Sequence, residues 1–217
     1  MPENKMRKST KTVKPSGLTP LLIAKCGLSL ADKTSVSEVS IRKIADELGV
    51  TPMAIYRHYS DKEALLSAML DQFILQADVL PKQPLSWQQW LVYVGMAMYE
   101  ALCKAPSWIP LFGQLQLKPG ALAVMDAYLA VMCEAGFTRL QAVNGFLGLL
   151  QNLIGASTMH SAFSNMNNAK NALADFDAIS YPQVAQALPD LLSAVSSNLM
   201  QNGLRLLVDG LVLELQK

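Results

Sequence analysis

The stretch TPMAIYRHYSDKEALL, residues 51–66, sets Tyr56, Arg57 and His58 in succession and Lys62 four residues further on. A phenol, a guanidinium, an imidazole and an ammonium group all donate hydrogen bonds to phosphate oxygens, and the cations add an attraction that weakens with salt. Upstream, Ser40 supplies a hydroxyl for the sugar-phosphate backbone, and Arg42 carries the fork that matches a guanine edge. Between these groups lie Thr51, Pro52, Met53 and Ala54. At Met53 and Ala54 an apolar contact with thymine methyls is the expected chemistry rather than paired hydrogen bonds. Such a set serves a duplex only if short, rigid elements hold it on one surface.

The sequence predicts those elements. In SIRKIADELGVTPMAIYRHY, Ile41, Ile44, Ala45 and Leu48 make one apolar face of a helix over 40–48, Gly49 permits a turn, and Val50 and Ile55 supply the facing residues. Thr51 reads as an N-cap and Pro52 as the first helical residue, so a short helix over 51–59 starts sharply. Its first residues can reach base edges in a major groove while its far end reaches phosphates. A helix over 18–32 precedes the pair, and another over 61–78 follows. Lys62, in that helix's first turn, is badly placed for the helix dipole and well placed for a phosphate.

Charge agrees with this placement. The chain has 217 residues and a net charge of +1, yet residues 1–62 hold eleven Lys and Arg against six Asp and Glu, and the remainder holds seven against eleven. The basic end is where a polyanion would bind. An enzyme finds little support: there are two histidines in all, no Cys/His pair at useful spacing, no glycine-rich phosphate loop and no helix carrying paired carboxylates toward a cavity. No catalytic residue, cofactor or metal ligand is assigned. Cys26, Cys103 and Cys133 lack metal-type spacing and read as small buried hydrophobes in a reducing compartment. The basic start carries no apolar segment of signal-peptide type, so a cytoplasmic protein is expected.

Beyond residue 80 the apolar residues keep helical spacing. Helices are expected over 87–104, over a segment closing on Gly136, over 139–162 and over 192–216, with APSWIP breaking the chain and SNMNNAKNALADFDAISYPQ forming a polar connector. No Lys, Arg, Asp or Glu occurs between Arg139 and Lys170, but Asn144, Gln151, Asn152, Ser157 and Thr158 interrupt the run, so it reads as a helix buried between protein surfaces and not in a membrane. The last helix stripes Leu204, Leu207, Val208, Leu211, Val212 and Leu215, and Gly203 and Gly210 allow another helix to approach. Eleven methionines favour an adaptable apolar cavity. Candidate lining residues are Val94, Met98, Phe112, Met125, Tyr128, Leu147, Gln151 and Met159. Tyr128, Gln151 and His160 are candidate polar anchors, with His160 read as a hydrogen-bonded core or pocket residue rather than a metal ligand.

Residues 17–70 closely resemble the TetR (tetracycline-repressor-like) transcription regulators, through SIRKIADELGV, AIYRHYSDKEALLSAML and the spacing between them. Ser35 stands where that family often has glycine, which affects the shape of one loop. LSWQQWL, MCEAGF and the uncharged helix after them resemble the regulatory domain of the tetracycline-repressor subgroup, whose drug chelate depends on a magnesium-linked histidine and a nearby glutamate. The matching positions are Phe112 and Met159. The resemblance therefore implies the domain's shape and argues against that ligand.

Together these readings give an all-α protein. A flexible basic arm occupies 1–16, a three-helix helix–turn–helix head occupies 17–63, and a helical-bundle body for ligand binding and dimerisation occupies 64–217. The expected function is a ligand-responsive repressor that binds a palindromic double-stranded DNA operator as a homodimer and is released by a small apolar or amphipathic effector, with no membrane association. The alternative is a helix–turn–helix adaptor whose body binds a protein partner.

Overall fold

In the computed structural model, residues 17–163, 177–197 and 199–216 are described. The expected basic arm and most of the expected connector, residues 164–176, lie outside them. The described residues are helical, and two compact units emerge: one holds residues up to Phe73 together with Leu115–Lys118, the other Ile74–Gln114 and the chain from Pro119 onward.

In the first unit, α1 (Pro20–Lys33) is capped by Thr19, whose hydroxyl accepts from the Leu22 amide at 3.1 Å. A short 3-10 turn over Val36–Glu38 leads to α2 (Ile41–Leu48). Ser40 caps α2 by accepting from the Lys43 amide at 3.2 Å. Gly49 ends it at φ 66°, a left-handed conformation that favours glycine, and the Val50 amide returns to the Ala45 carbonyl at 3.0 Å. Then come α3 (Pro52–Tyr56) and α4 (Lys62–Ala77). Ile23, Ile44, Ala45, Ile55, Leu65 and Met69 are buried at the centre. Space there is tight, since a Cβ on Gly27 would stand 2.7 Å from the Met69 sulfur.

The second unit contains α5 (Trp87–Lys104), a 3-10 turn over Pro106–Leu111, α6 (Pro119–Glu134), α7 (Arg139–Phe163), α8 (Pro182–Ser197) and α9 (Leu199–Leu215). A reciprocal capping box starts α5: the Gln89 amide donates to Ser86 Oγ, and the Ser86 amide donates to Gln89 Oε1. A similar exchange between Thr138 and Gln141 starts α7. Helix α7 is the hub, packing on α5, α6, α8 and α9. Leu91 and Leu102 of α5 are fully buried, each contributing roughly 1.5–3 kcal/mol relative to exposure. Gly203 lets α9 come so close to α7 that a Cβ there would collide with the Asn152 amide. Gln141 Nε2 then ties α7 to the Glu214 carbonyl at 3.0 Å. No helix among the described residues is long and apolar enough to cross a membrane.

Two expectations need correction. The helix expected over 192–216 is two helices, because residues 182–197 form α8 on their own, with Pro182 in the first turn and Pro189 inside. Pro189, which precedes the expected helix, is carried within α8. The regular part of α3 is also shorter than 51–59: it stops at Tyr56, and Arg57 and His58 continue as a turn into the buried Tyr59.

Candidate functional site

The surface formed by α2, α3 and the start of α4 is assembled by local sequence. Tyr59 is buried, and its hydroxyl donates to the Pro20 carbonyl at 2.8 Å, fastening the turn that follows α3 to α1. Asp61 caps α4 by accepting from the Ala64 amide at 2.8 Å, and Ser60 donates to its other oxygen. Those bonds, led by the Ala64 amide, hold the Asp61 carboxyl below the usual aspartate range. Tyr56, Arg57, His58 and Lys62 are thereby left exposed between two fixed points.

Arg42, Thr51, Pro52 and Met53 are exposed as well, with Ser40 and Ala54 half-buried beside them. Met53 is 68% exposed and Tyr56 47%, a costly placement for a thioether and a phenol unless something covers them. Ser40 accepts the capping bond, so its hydroxyl proton is still available to a phosphate. Thr51 has the extended cap conformation but makes no side-chain cap bond, contrary to the sequence expectation; Pro52 needs no such bond and starts the helix alone. Lys33 and Lys43 are engaged with Glu47 and Glu38, whereas Arg42, Arg57 and Lys62 enter no ion pair among the described residues. The surface thus presents, around a short helix, cations that enter no ion pair among the described residues and hydroxyls, groups that can donate hydrogen bonds to phosphate oxygens.

In the second unit the candidate lining residues separate. Val94, Met98 and Tyr128 are buried, Phe112 and Met125 are half-buried, and Leu147, Gln151 and Met159 are exposed. Tyr128 stands edge-on to Trp90, ring centroids 5.8 Å apart, and 5.3 Å from the Phe146 ring. Its hydroxyl has no hydrogen-bond partner among the described residues, and burial raises its pKa. A Cβ on Gly145 would stand 2.5 Å from that hydroxyl, so only glycine leaves it room. On α7, Asn152 Oδ1 and Ser157 Oγ are buried without a hydrogen-bond partner among the described residues. Asn152 and Ser157 were missed as candidates, since polar residues in an uncharged helix read only as interruptions. His160 is exposed rather than in the core, and its Nδ1 lies 3.0 Å from the Tyr99 hydroxyl.

Residues 26–69 match the description "Bacterial regulatory proteins, tetR family", and residues 80–215 match "Tetracyclin repressor-like, C-terminal domain". The chain belongs to the tetR family. It is 26% identical over 198 residues to the tetracycline repressor protein class A from transposon 1721 of Escherichia coli, covering 89% of this chain and 90% of that protein. A Saccharopolyspora erythraea HTH-type transcriptional regulator is 26% identical over 191 residues, covering 81% of this chain and 79% of its own. Among solved structures, the Streptomyces coelicolor TetR family protein ActR in complex with actinorhodin superposes with a TM-score of 0.79 at 18% identity, covering 91% of this chain and 96% of that one. As a tetR-family member the protein is a DNA-binding transcriptional repressor with a ligand-binding C-terminal domain.

Proposed function

We propose that the protein binds a palindromic operator as a homodimer in the cytoplasm and is released by a small apolar or amphipathic effector, with no metal requirement. The observation that carries this reading is the exposed, unpaired set Arg42, Arg57 and Lys62 around the exposed Met53 and Tyr56. A helix of five residues covers too little of a site to be specific alone, and two copies about 34–36 Å apart read a palindrome.

The dimer contact is proposed on α7 and α9. Leu140 and Leu147 on α7, and Leu206 and Leu213 on α9, are 50–70% exposed, and each pair is seven residues apart and so on one face of its helix. Gly210, beside Leu206 and Leu213, has nothing within 4 Å of its Cβ position, which leaves room for a partner helix. Leu211 is buried within its own chain, so a charge there would test folding rather than assembly. The effector is proposed to enter among α5, α6 and α7, with Val94, Met98, Phe112, Met125 and Tyr128 as apolar contacts and the unpartnered Tyr128 hydroxyl as its polar anchor. The ActR neighbour in complex with actinorhodin supports a ligand within this fold. The response is assigned to α4, which supplies residues to both units.

The test titrates hydrophobic compounds against the protein–operator complex, with magnesium and with EDTA. Release in EDTA is the expected result. Strict dependence on magnesium would refute the metal-free site, and binding to free protein without release would favour the protein-partner adaptor instead.

A further inference from the structure

Helix α3 packs on α2, its Ile55 side chain is fully buried, and its start is set by the turn at Gly49. Beyond Tyr56 the His58 and Tyr59 amides both return to the Ile55 carbonyl, at 2.9 and 3.1 Å, so the turn stays wound on the residue that anchors the helix. A helix this short can still rock about a single buried side chain. Rocking is opposed at the far end, where the buried Tyr59 ring sends its hydroxyl to the Pro20 carbonyl, 39 positions away in the chain. The acceptor is itself held, since Pro20 is the first residue of α1 and follows the Thr19 cap directly. Burial raises the pKa of the Tyr59 phenol, which keeps it a donor.

We propose that the Tyr59 hydroxyl is a positioning group for sequence discrimination, holding α3 at the angle at which Met53 and Ala54 meet base edges. This rests on the reading of α3 as the element that enters the groove. The two kinds of DNA contact differ in what they tolerate. A phosphate contact through Arg57 or Lys62 is largely Coulombic, and a long side chain follows a small tilt of its helix. Apolar contact with a thymine methyl is short-ranged, and a small radial gap forfeits much of it. Loss of the Tyr59 bond therefore costs discrimination and spares the phosphate grip. Arg42 stands apart from this device, because α2 packs on α1 directly.

The test uses the native chain to select a duplex from a randomised pool, then measures native chain and variants on that duplex and on one of scrambled sequence, across salt concentrations. Tyr59→Phe keeps the ring in its packing and should lower the ratio of selected to scrambled affinity roughly fivefold, the equivalent of one net hydrogen bond. Affinity for the scrambled duplex and the salt slope should stay as they are. The preference lost should fall at the base pairs that Met53→Ala also alters, and not at those altered by Arg42→Ala. Leu28→Val thins the buried face of α1 away from Pro20, so it should lower the melting temperature and keep the ratio. An unchanged ratio in Tyr59→Phe, an equal loss on both duplexes, or the same drop in ratio in Leu28→Val overturns the inference alone. A native chain that selects no sequence overturns the reading of α3 and the inference with it.

Discussion

The helix–turn–helix unit and the helical body both leave side chains uncovered, but of opposite kinds. Around α3 the uncovered groups are cations and hydroxyls, spread over a filled core and held by short-range caps such as Ser40, Gly49 and Asp61. On α7 and α9 they are leucines, while the polar atoms of Tyr128, Asn152 and Ser157 are the ones sealed inside. Exposure therefore carries different information in the two places. A free guanidinium on a rigid helix end suits a polyanion, and a leucine face suits a second apolar face.

The comparison is broken most severely from inside the body. Gly145→Val would drive a side chain into the Tyr128 hydroxyl and Leu211, and should cost on the order of 3 kcal/mol in urea unfolding. In a Tyr128→Phe background Gly145→Ala should cost less than alone, and equal costs would contradict the close approach. On the leucine face, Leu147→Lys with Leu213→Lys should give monomers by light scattering and lower operator affinity roughly 100-fold or more, as loss of a second linked module does. A surviving dimer would move the interface elsewhere.

The head is probed by contrasting two cations. Arg42→Ala should cost about 1–3 kcal/mol and relax sequence preference, whereas Lys62→Ala should weaken all sequences alike and reduce the salt slope by about 1. Matching profiles for the two would remove the distinction between base and phosphate contacts. Smaller still, Tyr128→Phe should stabilise the apo protein by about 1 kcal/mol, because a buried hydroxyl without a partner is lost, while weakening the effector. The slightest effect concerns acid. Since Asp61 is held below its unfolded value, its capping contribution is full above that value and lost as pH falls through the lower one. Asp61→Asn should accordingly flatten the acid limb of a melting-temperature profile, and an unchanged limb would remove Asp61 from it.

The head was legible because its devices are local. Ser40, Gly49 and Pro52 lie at most twelve positions apart, and each fixes a helix end by its own chemistry. Only the absent Thr51 cap bond and the early end of α3 differ, and both follow from Pro52 and Tyr59 taking over those tasks. The body was legible as helices but not as faces. Helix α7 carries no charge after Arg139 and its leucines go all round, so nothing in its spacing tells that Leu149 and Leu153 point inward while Leu147 and Gln151 point out. The Tyr99–His160 bond joins residues 61 positions apart, beyond any periodicity. Helix α8 falls between the expected polar connector, which ends at residue 183, and the helix expected from 192, and it carries Pro189 inside.

The clasp between Gln141 and the Glu214 carbonyl has a consequence for the order in which the molecule forms. Contacts among α1, α2 and α3 span a few dozen residues, so loop closure there is quick and available early in synthesis. The pairing of α7 with α9 must wait until residue 215 has been made, and during that interval the part of α7 that packs on α9 has no native cover. The growing chain thus holds a formed DNA-gripping end and an unfinished body at the same time, and the late pairing is the step most exposed to aggregation.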